Sequence, residues 1–66
     1  MNIGVLGFGS IGKRHSLNLL SKGFKVFIYD LVPPDSIFLK KKNVYFEKNK
    51  TEFLEKIDAG VIATPK

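Results

Sequence analysis

The sequence predicts an α/β fold of three layers, with a parallel sheet of about four strands in the order 3-2-1-4. Two observations carry this prediction. Segments rich in β-branched and aromatic residues alternate with segments of helical pattern along the 66 residues. A glycine-rich turn, Gly7-Phe8-Gly9-Ser10-Ile11-Gly12, joins the first strand to the first helix. Strands that alternate with helices pair in parallel through right-handed crossovers, so we expect one continuous sheet.

The first half of the chain contains the clearest signals. Asn2–Leu6 is predicted as an apolar strand and Ser10–Lys22 as a helix whose apolar positions include Ile11. Gly23 follows that helix as its stop signal. Lys25–Tyr29 is predicted as a second strand, and its nearly continuous apolar run indicates a strand covered on both faces.

The second half gives weaker signals. The predicted elements are a short helix at residues 37–39, a strand at 44–46, a helix from Thr51 to Ile57 and a strand at 59–63. Asp35 or Ser36 is expected to cap the first of these helices, and Thr51 the second. Together with the first half, these elements form a single unit over residues 1–66, with room for no second domain.

Composition excludes several classes of protein. The chain has no cysteine, so it builds neither a disulfide framework nor a thiolate metal site, and we expect no metal. It has no apolar run long enough to span a membrane and no secretory leader, so a cytoplasmic location is expected. A chain of this size buries only a modest share of the surface that its unfolded form exposes, so its stability is marginal. We therefore expect that the chain either associates, as a homo-oligomer formed through the exposed strand 59–63, or is a piece of something larger.

The turn after the first strand matches the G-x-G-x-x-G fingerprint in its required context, between a strand and a helix. Gly7 permits a tight turn, Gly9 allows a pyrophosphate to approach the backbone, and Gly12 allows close packing of the helix on the sheet. The helix N-terminus then attracts the phosphates. The intervening residues complete the predicted cofactor-binding turn: Phe8, Ser10 and Ile11.

An acidic residue supports the same interpretation. Asp30 directly follows the second strand, at roughly the 20-residue distance from the glycine motif that ribose binding requires. The next residue, Leu31, offers no positive charge to a 2′-phosphate, so NAD is favoured over NADP. The alternative is a glycine-rich turn and an unrelated acid at the end of a strand.

Three motifs carry a family resemblance: the nine residues from Gly7 to His15, Asp30, and Ala63-Thr64-Pro65 after the last strand. With them the sequence resembles the beginning of a Gfo/Idh/MocA family protein, the family of glucose–fructose oxidoreductase and inositol dehydrogenase. That family often extends its fingerprint to G-x-G-x-x-G-x-x-H, which His15 completes. Its fourth strand commonly ends in Ala-Thr-Pro.

The resemblance implies an N-terminal Rossmann half domain that binds NAD(P) in an oxidoreductase. Members transfer a hydride between the nicotinamide and a sugar, cyclitol or related polyol, and a second domain supplies most of the substrate site. The family's catalytic lysine lies in a Glu-Lys-Pro motif, which this sequence lacks. The matching positions therefore imply cofactor binding only, at the glycine turn, Asp30, Leu31, Ala63, Thr64 and Pro65. No catalytic residue is assigned, and the 66 residues alone are expected to be inactive.

Two other functions remain open from the residues. A regulatory NAD(H)-sensing module shares the glycine turn and Asp30 but needs no catalysis. The net charge of +5, with lysines at 40–42, 48 and 50, suggests a basic interaction domain. No nucleic-acid-binding motif accompanies these lysines, so we expect no nucleic-acid partner. Lys13 and Arg14 fit solvated helix positions better than phosphate contacts, and His15 suits either a buttress for the glycine turn or a satisfied helix residue.

Overall fold

The computed structural model describes residues 1–63. The elements along the chain are β1 (Asn2–Leu6), α1 (Gly9–Ser21), β2 (Lys25–Tyr29), α2 (Ser36–Leu39), β3 (Val44–Glu47), α3 (Lys50–Lys56) and β4 (Ala59–Ile62). The four strands form one sheet in the order β3-β2-β1-β4, and every neighbouring pair is parallel. The predicted α/β half domain and its strand order are confirmed.

The strand register aligns the carboxyl ends of the strands. Leu6 pairs with Tyr29 on one side and with Ile62 on the other, and Tyr29 pairs with Glu47. Because all four strands point the same way, the segments that follow them emerge at one edge of the sheet. A parallel sheet binds its ligands at this edge, where the loops meet.

The main core lies between the sheet and the helices α1 and α2. Its buried residues come from all four strands or their ends and from α2: Val5, Val26, Ile28, Phe38, Val44 and Ala63. Leu19 and Leu20 of α1 pack against this cluster. The predicted covering of β2 on both faces is seen in the burial of Val26, Phe27 and Ile28.

The helix α3 covers the opposite face and completes the third layer. The ring of Phe53 is buried and lies 5.6 Å from that of Tyr29, centroid to centroid. Gly4 makes this close seating possible, because a Cβ there would lie 2.6 Å from Ile57 and 2.7 Å from Phe53. The absence of a side chain at the middle of β1 therefore fixes the distance between α3 and the sheet.

The structure corrects several local predictions. Asn49, not Thr51, caps α3, and its side-chain oxygen accepts from the amide of Glu52 at 3.0 Å. Thr51 lies within the first turn, because the chain turns immediately after β3. Asp35, one of the two predicted residues, caps α2 by accepting from the amide of Phe38 at 2.8 Å.

The apolar face predicted for α1 is also partly wrong. Ile11 is 58% exposed. The buried positions of α1 are instead small ones, Gly12 and Ser16, because the helix lies close against the sheet. Within the described part of the chain, no helix has the length and apolar character needed to cross a membrane.

Candidate nucleotide-binding site

The glycine turn between β1 and α1 has the geometry that its sequence predicts. Gly7 and Gly9 have positive φ angles of 89° and 43°, in the left-handed region that favours glycine. The amide of Gly7 donates to the carbonyl of Tyr29 at 2.8 Å, which ties the turn to β2. A Cβ on Gly12 would lie 2.3 Å from the carbonyl oxygen of Gly7, so only glycine fits there.

The N-terminus of α1 is open to an anion. Phe8 occupies the cap position and provides no side-chain hydrogen bond, and the first turn contains no acidic residue. The amides of Gly9, Ser10 and Ile11 precede the first hydrogen bond of the helix. Within residues 1–63, and apart from its two chain neighbours and the backbone of its own helix, no atom lies within 4 Å of a Cβ built on Gly9. Free amides, a positive helix end and open space together suit a phosphate group.

Asp30 stands at the end of β2 and faces this turn. Its Oδ2 accepts from the amide of Phe8 at 2.7 Å, and its Oδ1 accepts from the amide of Val32 at 3.3 Å. The bond from Phe8 is the main cause that lowers the pKa of the Asp30 carboxyl, so the group is ionised at neutral pH. A carboxylate has about four lone-pair positions, so two bonds leave room for ribose hydroxyls.

Three grooves along the carboxyl edge of the sheet are lined by residues of the glycine turn. One of about 560 Å³ lies between the glycine turn and the segment after β2, with Asp30 and Lys13 in its walls. A second of about 260 Å³ lies on the other side of Asp30 and reaches Leu31. A third of about 280 Å³ is lined by Gly9, Ser10, Ile11 and Ala63. The first two grooves share Asp30, and the first and third share Gly9 and Ser10, so the three are neighbours from Leu31 across the glycine turn to Ala63.

The structure brings together the predicted site residues that it describes: Gly7, Phe8, Gly9, Ser10, Ile11, Gly12, Asp30, Leu31 and Ala63. Thr64 and Pro65 lie outside the described residues. Phe8 lines the groove beside Asp30, and its ring packs edge-to-face on Phe38 at 4.9 Å, centroid to centroid. Leu31 is 92% exposed and forms an open apolar wall.

His15 does not buttress the glycine turn within the described residues. Its side chain is exposed, and no hydrogen bond links it to another residue of the range 1–63. The predicted alternative contact, with Thr64 and Pro65, lies outside that range. The same range contains no group of three side chains suited to hold a metal ion.

Three lysines line the site. The sequence alone favours a solvated position for Lys13 over a phosphate contact, and it does not place Lys48 or Lys50 there. Lys13 lines the groove beside Gly9 and Ser10, on the helix face one turn after the glycine turn. Lys48 and Lys50 line grooves that also contain Asp30. The predicted strand order could have revealed Lys48 and Lys50, because β3 is the neighbour of β2 and the residues after both strands emerge side by side.

The parallel sheet, the glycine turn and the acid after β2 define a Rossmann-type dinucleotide-binding unit. Over residues 2–65 the sequence matches the family described as the NAD binding domain of 6-phosphogluconate dehydrogenase, and the chain belongs to this family. Comparisons with curated proteins and with solved structures gave no match. The family supports a nicotinamide dinucleotide as ligand and an oxidoreductase as the class of protein.

Proposed function

We propose that this chain is the NAD-binding part of an oxidoreductase that transfers a hydride between a nicotinamide cofactor and a sugar, cyclitol or related polyol. One observation carries the proposal. The uncapped, acid-free N-terminus of α1 and the ionised Asp30 line one groove. The family match supports the cofactor, and the resemblance to Gfo/Idh/MocA proteins in the motifs around His15 and Ala63 supports the substrate class.

The residues present fit the cofactor in the order of its chemical groups. The amides of Gly9, Ser10 and Ile11 would hold the pyrophosphate, and Asp30 would accept from the adenosine ribose hydroxyls. The groove lined by Gly9, Ser10, Ile11 and Ala63 would receive the nicotinamide ring. When bound, the cofactor supplies the hydride acceptor or donor, and this chain holds and orients it.

NAD is the form that Asp30 favours. Its ionised carboxylate would repel a phosphate on the hydroxyl it binds, and Leu31 offers no compensating charge. Hydroxyls at the same place would instead donate hydrogen bonds to a charged acceptor, which are among the stronger bonds in proteins.

The acid–base group for the substrate would come from outside residues 1–63. The groove beside Ala63 is lined by glycine, serine, isoleucine and alanine, none of which titrates near neutral pH. This supports the expectation that the 66 residues alone bind the cofactor without turnover. The same observation suits a regulatory NAD(H)-sensing module, which would differ from the enzyme in having no hydride transfer in the whole protein.

Calorimetric titration with NADH tests the proposal. We expect one site per chain, and an Asp30→Asn variant should bind about 10-fold more weakly after losing a charged acceptor. Glu55→Gln removes a negative charge from the exposed face of α3 and serves as the matched control. Equal NADH affinity in Asp30→Asn and the wild type would exclude the ribose role of Asp30. Absence of any NADH binding to the folded wild type would exclude the proposed function.

A further inference from the structure

We infer that Lys48 and Lys50 form an anion subsite beside Asp30 that accepts a phosphate group on the adenosine ribose of a dinucleotide. The subsite would allow the chain to bind the 2′-phosphorylated cofactor as well as NAD. This inference rests on the proposed function, because it takes the ribose to lie against Asp30.

The sheet places the two lysines next to the acid. In the register of β2 and β3, Tyr29 pairs with Glu47, so the residues that follow these two strands emerge side by side. Lys48 lines a groove of about 330 Å³ together with Asp30. Lys50 lines the groove of about 260 Å³ that also contains Asp30. The two lysines therefore flank one carboxylate from two adjoining grooves.

Neither lysine is neutralised by another residue of the described range. The nearest acid in sequence, Glu47, is already paired with Lys56, with 2.6 Å between Oε1 and Nζ. Asp30 itself accepts from two main-chain amides and forms no ion pair with a lysine within residues 1–63. Lys48 and Lys50 thus line the grooves around a single carboxylate, which gives these grooves an excess of positive charge where a ribose phosphate would lie.

The chemistry of the grooves suits a phosphate group. The ammonium of lysine is a compact charge on a flexible stem of four carbons, so it can reach an anion placed a few ångströms from Asp30. The groove of Lys48 has apolar walls from Leu31, Pro33 and Phe46. Lys48 is exposed to water, so its attraction for an anion is modest. The repulsion between Asp30 and a ribose phosphate is then offset by two attractions, and discrimination against the phosphorylated cofactor is weakened.

The experiment compares matched ligands on matched variants. The chain is titrated with adenosine 5′-monophosphate, adenosine 2′,5′-bisphosphate, NADH and NADPH at low salt. A Lys48→Gln, Lys50→Gln double variant should raise the Kd of the two 2′-phosphorylated ligands about 2- to 30-fold, the range expected for two exposed charge pairs. Its Kd for the two ligands that lack a 2′-phosphate should stay within about twofold. The effect should shrink at high salt, because exposed charges are screened.

The control variant is Lys41→Gln, Lys42→Gln, which removes the same charge from a run that lines none of the Asp30 grooves. It should leave all four affinities unchanged relative to one another. An equal loss of affinity for the ligands with and without a 2′-phosphate, or no loss of affinity for either kind, would overturn the inference. If NADH binds but the 2′-phosphorylated ligands do not, the inference fails alone. If NADH and adenosine 5′-monophosphate both fail to bind the folded wild type, the proposed function fails.

Discussion

The main-chain amide of Phe8 donates a hydrogen bond of 2.7 Å to Oδ2 of Asp30, and this bond joins the glycine turn to the end of β2. The acid proposed to bind the ribose therefore also holds the turn proposed to bind the pyrophosphate. Ring packing of Phe8 on Phe38 fixes the same residue from the core side. The two halves of the site are thus one connected structure, and a change at Asp30 acts on both.

The first prediction concerns stability. Asp30→Ala should destabilise the fold by about 1–3 kcal/mol, because the amide of Phe8 loses a charged acceptor in a partly buried place. Urea unfolding followed by circular dichroism measures the change. Asp58→Ala makes a suitable comparison, since Asp58 also accepts from a main-chain amide, that of Asn2 at 2.9 Å, but far from the site. Stability of Asp30→Ala equal to the wild type would show that the bond to Phe8 contributes nothing.

The second prediction concerns pH. The pKa of Asp30 is lowered in the folded chain, so its ionised form contributes stability above the unfolded value of about 3.9. That contribution is lost as the pH falls through the lower folded value. The stability difference between wild type and Asp30→Asn should therefore be constant from pH 5 to about pH 8 and shrink below about pH 4. Unfolding curves of both proteins across this range provide the measurement, and a constant difference at every pH would contradict it.

The third prediction separates two glycines of the same turn. Gly12→Ala should destabilise the fold by about 1–3 kcal/mol or more, because the added methyl group meets the carbonyl of Gly7. Gly9→Ala should cost only about 1–2 kcal/mol, from its positive φ, because the space around it is open. Gly9→Ala should nevertheless weaken NADH binding strongly, since its methyl group enters the phosphate site.

Thermal unfolding and NADH titration of the two variants test this separation. Gly60→Ala is the control, because its Cβ would meet Ile57 at an ordinary contact distance of 3.6 Å. A Gly9→Ala variant that binds NADH as tightly as the wild type would place the pyrophosphate elsewhere.

The fourth prediction concerns the edge formed by β4. This strand pairs with β1 on one side only, and Ile62 is 76% exposed. Such an edge is a template for pairing with another chain. We expect the isolated 66 residues to self-associate through β4, and we expect Ile62→Glu to shift the equilibrium towards monomer. Analytical ultracentrifugation measures it, with Ile37→Glu as a control at an equally exposed position of α2. A folded wild-type monomer at high concentration would contradict the prediction.

The sequence predicted the strand order, the glycine turn and the place of Asp30, because each depends on local signals. Strand composition, glycine spacing and the acid after β2 can all be recognised in the sequence without knowledge of tertiary contacts. The cap of α3 was missed since Asn49 and Thr51 are both good capping residues. Which of these two residues caps α3 depends on where β3 ends. Lys48 and Lys50 were interpreted only as part of a basic group of lysines, because their proximity to Asp30 arises only from the register of two strands.

Gly4 lines none of the grooves around Asp30, yet it influences the position of one of their walls. Its missing side chain lets Phe53 and Ile57 seat α3 directly on β1. Lys50 is the first residue of that helix and forms part of the wall beside Asp30. Any side chain at Gly4 would act as a wedge beneath α3 and move this wall outward. The missing side chain in the middle of the first strand therefore sets how closely Lys50 can approach a ribose bound at Asp30.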